Sequence, residues 1–510
     1  MSTPSLTLER PASISLFIAL FCTLFSVIFN YTLTIMASPY IVGDLGGSND
    51  TATYTVSFFA LGNALGLPLG RNLLSRIGTA RFLVTAMLLF AFFSWTCSMA
   101  PNYPFFNASR FLQGFVSGPF YALSFHLFQT LQPKEKKDLF TSISLIIFTI
   151  GPVVGACWGG WIAYEWDWRW LFYINLPLKL FLAWFLWHRL KGFDSIVPAK
   201  TSFDGIGYAS FFVGVVCLGF TVIMGQELDW FRSHLIIALT AIGSVSLLFF
   251  ILWDFNHPSP ILFLGLLKNF VLTFALFNLA ILFSVYFGTV ILLALWLNLW
   301  VNYTPDWIGV LLGTMAIAGL FPLFLVQDKM RKIDNRIYLA LAIVLLAISC
   351  IHTMTFNVDI NFGRIAFSRI LAGFGLALFL APIFRLCFFN IPEEKMLHVL
   401  GLFQVTRALS SGLGASVYAT IWLRRQVFYH ERLGSKLTAT SPQTQEFFAK
   451  AEEVQLHGLN ADAQLEYYLE REATSLALDD CFYLMTWILI GLLVSFAFTF
   501  FSRRRAYITD

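Results

Sequence analysis

The sequence predicts an all-α integral membrane protein of fourteen transmembrane helices, arranged as two pseudo-symmetric six-helix bundles plus two extra central spans, with both termini cytoplasmic. Three observations carry that prediction. Of 510 residues, 58% are hydrophobic and only 12% are charged, about half the roughly 25% of an ordinary soluble chain. Uncharged runs of about 20 residues recur along the whole length, which is what a bilayer core of roughly 30 Å requires of a helix. A seven-residue stretch near 110 also returns almost unchanged near 370, the mark of a duplicated bundle.

The first run, 13–38, carries no charge. It is too long for the apolar core of a cleaved signal peptide and is expected to remain as the first span. The others are expected near 52–72, 81–99, 105–130, 140–163, 169–189, 205–224, 234–253, 271–297, 307–326, 337–356, 365–389, 397–422 and 480–501. Lys and Arg are retained on the cytoplasmic side during insertion. With the N-terminus inside, Arg71, Arg76, Arg81, the cluster Lys134, Lys136 and Lys137, and Arg503 to Arg505 all fall inside. The short outside loops then keep only Arg169, Arg232 and Arg364.

Between about 424 and 479 the composition turns polar, with helical-looking stretches such as EFFAKAEEVQLHGL. This extracytoplasmic insert reads either as a solvated flap or as a docking surface for a partner. Elsewhere the bulky apolar content, 56 Phe and 15 Trp, suits side chains facing lipid or lining a greasy cavity. A net charge of +4 is too small to suggest nucleic acid as a partner. The seven Cys lie in or beside apolar runs without metal-ligand spacing, as small hydrophobes do, and no metal is expected.

Ser109 to Phe115 (SRFLQGF) and Ser368 to Phe374 (SRILAGF) stand 259 residues apart and agree at five of seven positions. Each precedes a loop with Pro, Lys and Glu, QPKEKKD and IPEEK. The offset divides the chain into a first six-helix bundle at 1–200, two inserted spans at 201–265, and a second bundle with the insert at 266–510.

Away from the outermost two residues at each end, the expected spans hold five basic residues, Arg110, Lys179, Arg369, Arg385 and Arg407, and no carboxylate. Each costs at least ~2.5 kcal/mol at a helix centre, so each needs a partner, a watery cavity or a short reach to the interface. Lys179 and Arg385 lie within a few turns of a span end, where snorkelling is open to them. Arg110 and Arg369 occupy equivalent repeat positions and Arg407 lies more than two turns inside. These three either face a central cavity and set a positive potential there, or hydrogen-bond neighbouring carbonyls and amides and hold helices together. In the fifth span Gly151, Gly155 and Gly159 share one helix face, joined by Gly160, while Pro152 removes a backbone donor. That combination suits a helix that rocks.

At these residues the chain resembles a major facilitator superfamily transporter of the fourteen-span drug:proton antiporter type. The RFLQG stretch at Arg110 resembles that family's fourth-span motif, and Gly151 to Gly160 its antiporter motif. Trp168 to Pro177 (WRWLFYINLP) is similar to its W-x-W-x-F-x-I-N-x-P opening of span six, and Gly225 to Phe231 (GQELDWF) to its loop between spans seven and eight. Thr406, Arg407, Asn63 and the polar insert fall where the family has counterparts. Two motifs depart. The first-span L-D-x-T-I-V-N-V-A-L-P reads FNYTLTIMASP here, so Asn30 replaces the Asp that is expected to take and release the coupling proton; an amide does not titrate. The loop motif G-x-L-a-D-R-x-G appears as Arg71 to Gly78, with Ser75 for the Asp and Arg76 and Gly78 kept.

The resemblance implies a multi-pass exporter of the bacterial inner membrane that alternates access for lipophilic or weakly acidic compounds. Its cavity would be lined by Asn30, Tyr31, Asn63, Arg110, Gln113, Arg369 and Arg407. Membrane lipid, a periplasmic adaptor and an outer-membrane channel are the implied partners, and the proton gradient, not a cofactor, the implied energy source. Without a buried acid, the proton could travel with the substrate, on Asp204 or Glu165 at span ends, or not at all. A second reading keeps the fold but makes it a facilitator or exchanger of an organic anion. A third is a non-transporting scaffold or sensor. An enzyme is not expected, since the chain has no HExxH, P-loop or membrane-facing Ser/His/Asp set.

Overall fold

The computed structural model describes residues 14–130, 137–190, 203–326, 335–392, 395–438, 440–453, 455 and 458–502. Its longer elements are all α-helices: α1 (Ile14–Thr32), α2 (Ser38–Asp44), α3 (Tyr54–Gly66), α4 (Leu69–Ile77), α5 (Thr79–Ser98), α6 (Tyr103–Thr130), α7 (Lys137–Glu165), α8 (Trp170–Tyr173), α9 (Asn175–Arg189), α10 (Gly205–Met224), α11 (His234–Asn256), α12 (Phe270–Leu299), α13 (Pro305–Val326), α14 (Asn335–Thr353), α15 (Phe362–Phe388), α16 (Met396–Gly434), α17 (Pro442–Glu453) and α18 (Leu459–Ser502). Eleven of these helical stretches are long and apolar enough to cross a membrane. Helices α3, α6 and α16 fall outside that set. Helix α3 is too short, at 13 residues, while α6 and α16 carry Arg110, Gln113, Gln404, Arg407 and Ser411, all buried, and those side chains lower their hydropathy; α3 carries the buried Asn63. Lys134, Lys136 and Arg503 to Arg505 lie outside the described residues.

Three expected spans are broken where proline removes a backbone donor. The first run ends as α1 at Thr32 and restarts as α2, with Pro39 in the first turn. The second breaks at Pro68 and continues as α4 to Ile77, so 71–78, expected as a loop, is mostly helix. The turn into α5 is confined to Gly78, whose φ of +88° favours a residue without Cβ. Ser75, standing for the family Asp, bonds the Asn72 carbonyl of its own helix at 2.9 Å. Arg71 lies within α4 and Arg76 is exposed in its last turn. The sixth span divides into α8 and α9 just before Pro177.

The polar segment 424–479 is a stem built largely by extending two helices. Helix α16 continues 39 residues to Gly434 and α18 begins at Leu459. His430 meets Glu466 at 2.6 Å and Arg425 meets Asp480 at 2.5 Å, while the Trp422 indole donates to the Thr474 carbonyl. At the same end Tyr54 of α3 donates to Glu227, and Gln226 accepts from Arg424 of α16. The loop between α10 and α11 is thereby tied to the main body.

Packing repeats along the chain. Helix α3 lies against α6 as α13 lies against α15, and two further contacts join the first half to the second, α3 with α16 and α7 with α13. Close approach is set by glycine. A Cβ at Gly114 of α6 would overlap the Phe59 carbonyl oxygen of α3, and one at Gly373 of α15 would overlap that of Met315 in α13. Gly62 and Gly66 of α3 abut the α6 backbone in the same way, and Gly118 abuts α3. The two helices interlock backbone to backbone. Replacing Gly114 or Gly373 by Val is expected to lower stability by about 3 kcal/mol or more, read as thermal unfolding in detergent. Gly401→Ala, with open space around it, should leave unfolding unchanged; similar loss in all three would contradict this account.

Candidate substrate and coupling site

Seven helices, α1, α3, α6, α7, α12, α15 and α16, converge on a central cavity whose walls include Tyr31, Asn63, Tyr121, Phe148, Phe283 and Arg407. Its free volume is about 20 Å³, room for about one water. The halves are latched around it. Tyr31 of α1 hydrogen-bonds Ser411 of α16, Ser57 of α3 donates to the Gly412 carbonyl at 2.9 Å, and Gln404 of α16 donates to the Tyr121 hydroxyl. A wider cleft of 410 Å³ opens beyond this seam between α3, α16 and α18, with Tyr54, Glu227, Gln426 and Glu470 on its walls.

Arg407 projects from α16 into the cavity, 7% exposed. Its Nε donates to Gln404 at 2.9 Å, while the guanidinium sits 5.7 to 6.0 Å from the rings of Tyr31, Tyr121, Phe148 and Phe283. Among the described residues its two terminal nitrogens have no hydrogen-bond acceptor. Asn63 donates to Ser117 at 2.8 Å and its carbonyl oxygen is likewise unmatched. Tyr31, Asn63 and Arg407 are thus the cavity-lining members of the seven sequence candidates.

The other four do not line it, because their polar atoms are taken up within their own half or turned elsewhere. Arg110, fully buried, donates from Nε to the Thr55 carbonyl at 3.1 Å, from Nη1 to Gln113 at 2.6 Å, and from Nη2 to Thr34 and the Asn30 carbonyl. The Phe59 ring lies 4.4 Å beneath it. It ties α1, α3 and α6 together, and Gln113 is spent as its acceptor. Asn30 forms a reciprocal amide pair with Asn175 of α9, both bonds 2.7 Å. Arg369 bonds Ser349, Thr353 and Ser368 through Nη2 alone, leaving its buried Nε and Nη1 without acceptors among the described residues.

Lys179 does not snorkel. It is fully buried, donates to Ser26 of α1 at 2.5 Å, and lies 4.5 Å from the Phe90 ring centre and 5.1 Å from that of Phe120. Arg385 is half-buried in the last turn of α15. Of the two span-end acids, Glu165 is exposed, while Asp204 caps α10 through Gly207 and accepts from the Trp253 indole, a structural task.

The α7 motif stands between the halves. Gly151, Gly155 and Gly159 each face α1, and a Cβ at Gly159 would overlap the Leu33 carbonyl. The Pro152 carbonyl accepts from Thr32 at 2.6 Å. On the other side Gly160 abuts the Pro305 carbonyl of α13, and Cys157 bonds the Gly309 carbonyl.

Residues 19–415 match the Major Facilitator Superfamily. The chain belongs to that family. It is 31% identical over 82% of both chains to the fatty acid resistance protein FarB of Neisseria gonorrhoeae. It is 28% identical over 96% of both chains to the multidrug export protein EmrB of Haemophilus influenzae. The fold is similar to a bacterial homologue of the lysosomal transporter Spinster (TM-score 0.64, 12% identity, 98% of this chain and 100% of the other). It is also similar to the xylose transporter XylE of E. coli (TM-score 0.56, 13% identity, 97% and 99%). This superfamily member is therefore a multi-pass transporter of the bacterial inner membrane, not an enzyme.

Two features of this superfamily chain escaped the sequence. Asn175 was visible only as part of the span-six motif, since its partner lies 145 residues away. The interlocked glycines of α3 and α6 were signalled by GxxxG spacing at Gly62 and Gly66 and at Gly114 and Gly118. The amide pair yields a direct test. Asn30→Ala and Asn175→Ala should each lower stability by about 1–3 kcal/mol, because each strands a buried amide. The double variant should cost clearly less than both together. Additive losses in thermal unfolding would show that the pair does not act as a unit.

Proposed function

We propose that this superfamily member exports lipophilic, weakly acidic compounds by alternating access. Arg407 carries the reading: a cation inside an aromatic cage, with two nitrogens free and no carboxylate on the cavity wall among the described residues. The rings of Tyr31, Phe148 and Phe283 suit a lipophilic body. Arg407 suits an anionic head group in fork-like geometry, and the surrounding low dielectric strengthens that attraction. Arg369, which does not line the cavity, adds only to the positive potential of the interior. A cavity of 20 Å³ is far below the roughly 300 Å³ that such a ligand needs, so binding requires the halves to part. The glycine and proline face of α7 and the α3–α16 seam are the surfaces on which they would rock. That relatives are named for fatty acid resistance and multidrug export agrees with this substrate class.

In this reading fourteen helices span the membrane, the eleven apolar ones joined by α3 with α4, α6 and α16. Two six-helix bundles, 1–200 and 266–510, flank the inserted pair at 201–265, and both termini are cytoplasmic. The stem of α16, α17 and α18 is then periplasmic and offers a face to an adaptor leading to an outer-membrane channel. The proton gradient drives export. One observation favours a second reading, an organic-anion exchanger without proton coupling: Asn30 stands where the family acid is expected, and its amide is fully engaged with Asn175.

Arg407→Gln is expected to weaken binding of a lipophilic anion about 10- to 100-fold, the loss of hydrogen bonds to a charged group, with an uncharged analogue little changed. Equal loss for both would remove Arg407 as the anion-binding charge. In proteoliposomes of the full chain, an imposed pH gradient should accelerate anion flux. Flux that ignores the gradient but rises with unlabelled anion on the far side would establish the exchanger instead.

A further inference from the structure

Helices α1 and α9 are joined by two polar rungs, one turn apart. The upper rung is the Asn30–Asn175 pair. The lower is Lys179 with Ser26, and the two are linked because the Ser26 carbonyl accepts from the Asn30 amide at 2.7 Å. Asn30 occupies the position where an acid would titrate, and neither amide can do so. Arg110, bonded to the Asn30 carbonyl, does not give up its proton. One turn down the same interface stands an amine that can.

The surroundings of Lys179 suit a group that alternates between two protonation states. No carboxylate occurs on any helix packed against it. Helix α1 contributes Ser26 and, as titratable side chains, only Cys22 and Tyr31; α5 contributes the Phe90 face, with Arg81 and Cys97 toward its ends. Helix α6 contributes the Phe120 face, and carries Tyr103, Arg110, Tyr121 and His126. Helix α8 carries Tyr173, and α9 itself adds only His188 and Arg189 in its last turn. The ammonium is held by one hydroxyl and two aromatic faces, contacts that are individually modest. Ser26 serves either state. With its own proton on the Thr23 carbonyl, 2.8 Å away, it accepts from an ammonium; rotated, it donates to a neutral amine.

We propose that Lys179 is the residue of this transporter that takes up and releases the coupling proton. The inference rests on the gradient-driven form of the export reading. Release transfers one proton from Nζ to water admitted when the halves part, leaving a neutral amine and a hydronium ion; uptake from the other side of the membrane restores the charge. Helix α1 connects this event to the cavity. Within two turns it carries Ser26, the cavity residue Tyr31 that bonds Ser411 across the seam, and Thr32, which bonds the Pro152 carbonyl of α7. A change in the Ser26 rung therefore bears on the helix that both closes the cavity and touches the glycine-rich face.

The test uses the full chain in proteoliposomes with 1-anilinonaphthalene-8-sulfonate, a lipophilic anion whose sulfonate stays ionised and so carries no proton itself. Wild type should accumulate it under an imposed pH gradient. Lys179→Arg and Lys179→Met should lose that response at least about tenfold while anion counterflow persists. If either variant still responds to the gradient, the proposal falls and the export reading stands. If wild type shows counterflow but no gradient response, gradient-driven export and the proposal fall together, and the exchanger remains. Should the Lys179 variants not fold, Ser26→Ala keeps the amine and removes only its hydroxyl. It should move the half-maximal pH of gradient-driven flux by about half a unit or more; a profile superimposable on wild type overturns the proposal.

Discussion

The structure is governed by the absence of water in the bilayer core, where every polar group has to be satisfied by the protein itself. Among the described residues three cations are buried completely, Arg110, Lys179 and Arg369, and a fourth almost so, Arg407, and none of the four is ion-paired there. Each costs at least ~2.5 kcal/mol in a helix centre. Hydrogen bonds to a charged group return about 1.5–3 kcal/mol and an aromatic face about 0.5–2 kcal/mol. For Arg110, with several acceptors and Phe59 beneath it, the terms offset. For Arg369 and Arg407, with nitrogens left over, they do so less well. That difference separates a fastening from a binding group more sharply than sequence position does, since Arg110 and Arg369 are repeat equivalents.

Carbonyls and amides replace acids as the polar glue, and they impose short range. A guanidinium bonded to a backbone oxygen holds two helices at fixed separation, and glycines on α3, α6, α7 and α15 make that separation small enough. The result is stiff within each half. Between the halves the bonds are few and mostly hydroxyl to hydroxyl or hydroxyl to carbonyl, as at Ser57, Ser411 and Ser416, and such contacts exchange readily for water.

Much of this was legible in the sequence because membrane proteins write their architecture in hydropathy. The apolar runs fall on helices, and the buried cations were found by noting which charges interrupt them. The repeat around Arg110 and Arg369 also contains Gly114 and Gly373, which the structure sets against the second helix of each half. What stayed hidden was relational. Nothing local to Arg110 says that its nitrogens end on Thr55 and Thr34, or that Asn30 is paired with Asn175. The first, second and sixth runs looked continuous because hydropathy does not register the missing amide proton of Pro39, Pro68 or Pro177. The polar insert looked like a separate flap because its composition changes abruptly, whereas the helices α16 and α18 cross that boundary without a break.

The continuity of α16 makes it a mechanical lever. Arg407 at the cavity and Gly434 at the far end of the stem belong to one unbroken helix, and at about 1.5 Å per residue they lie roughly 40 Å apart. A tilt of about five degrees at the centre would carry the tip by about 3.5 Å at that radius, with α18 braced alongside through His430 and Arg425. Under the proposed alternating access, a tilt of α16 at the cavity would thus move the distant stem, and a partner touching the stem would register it.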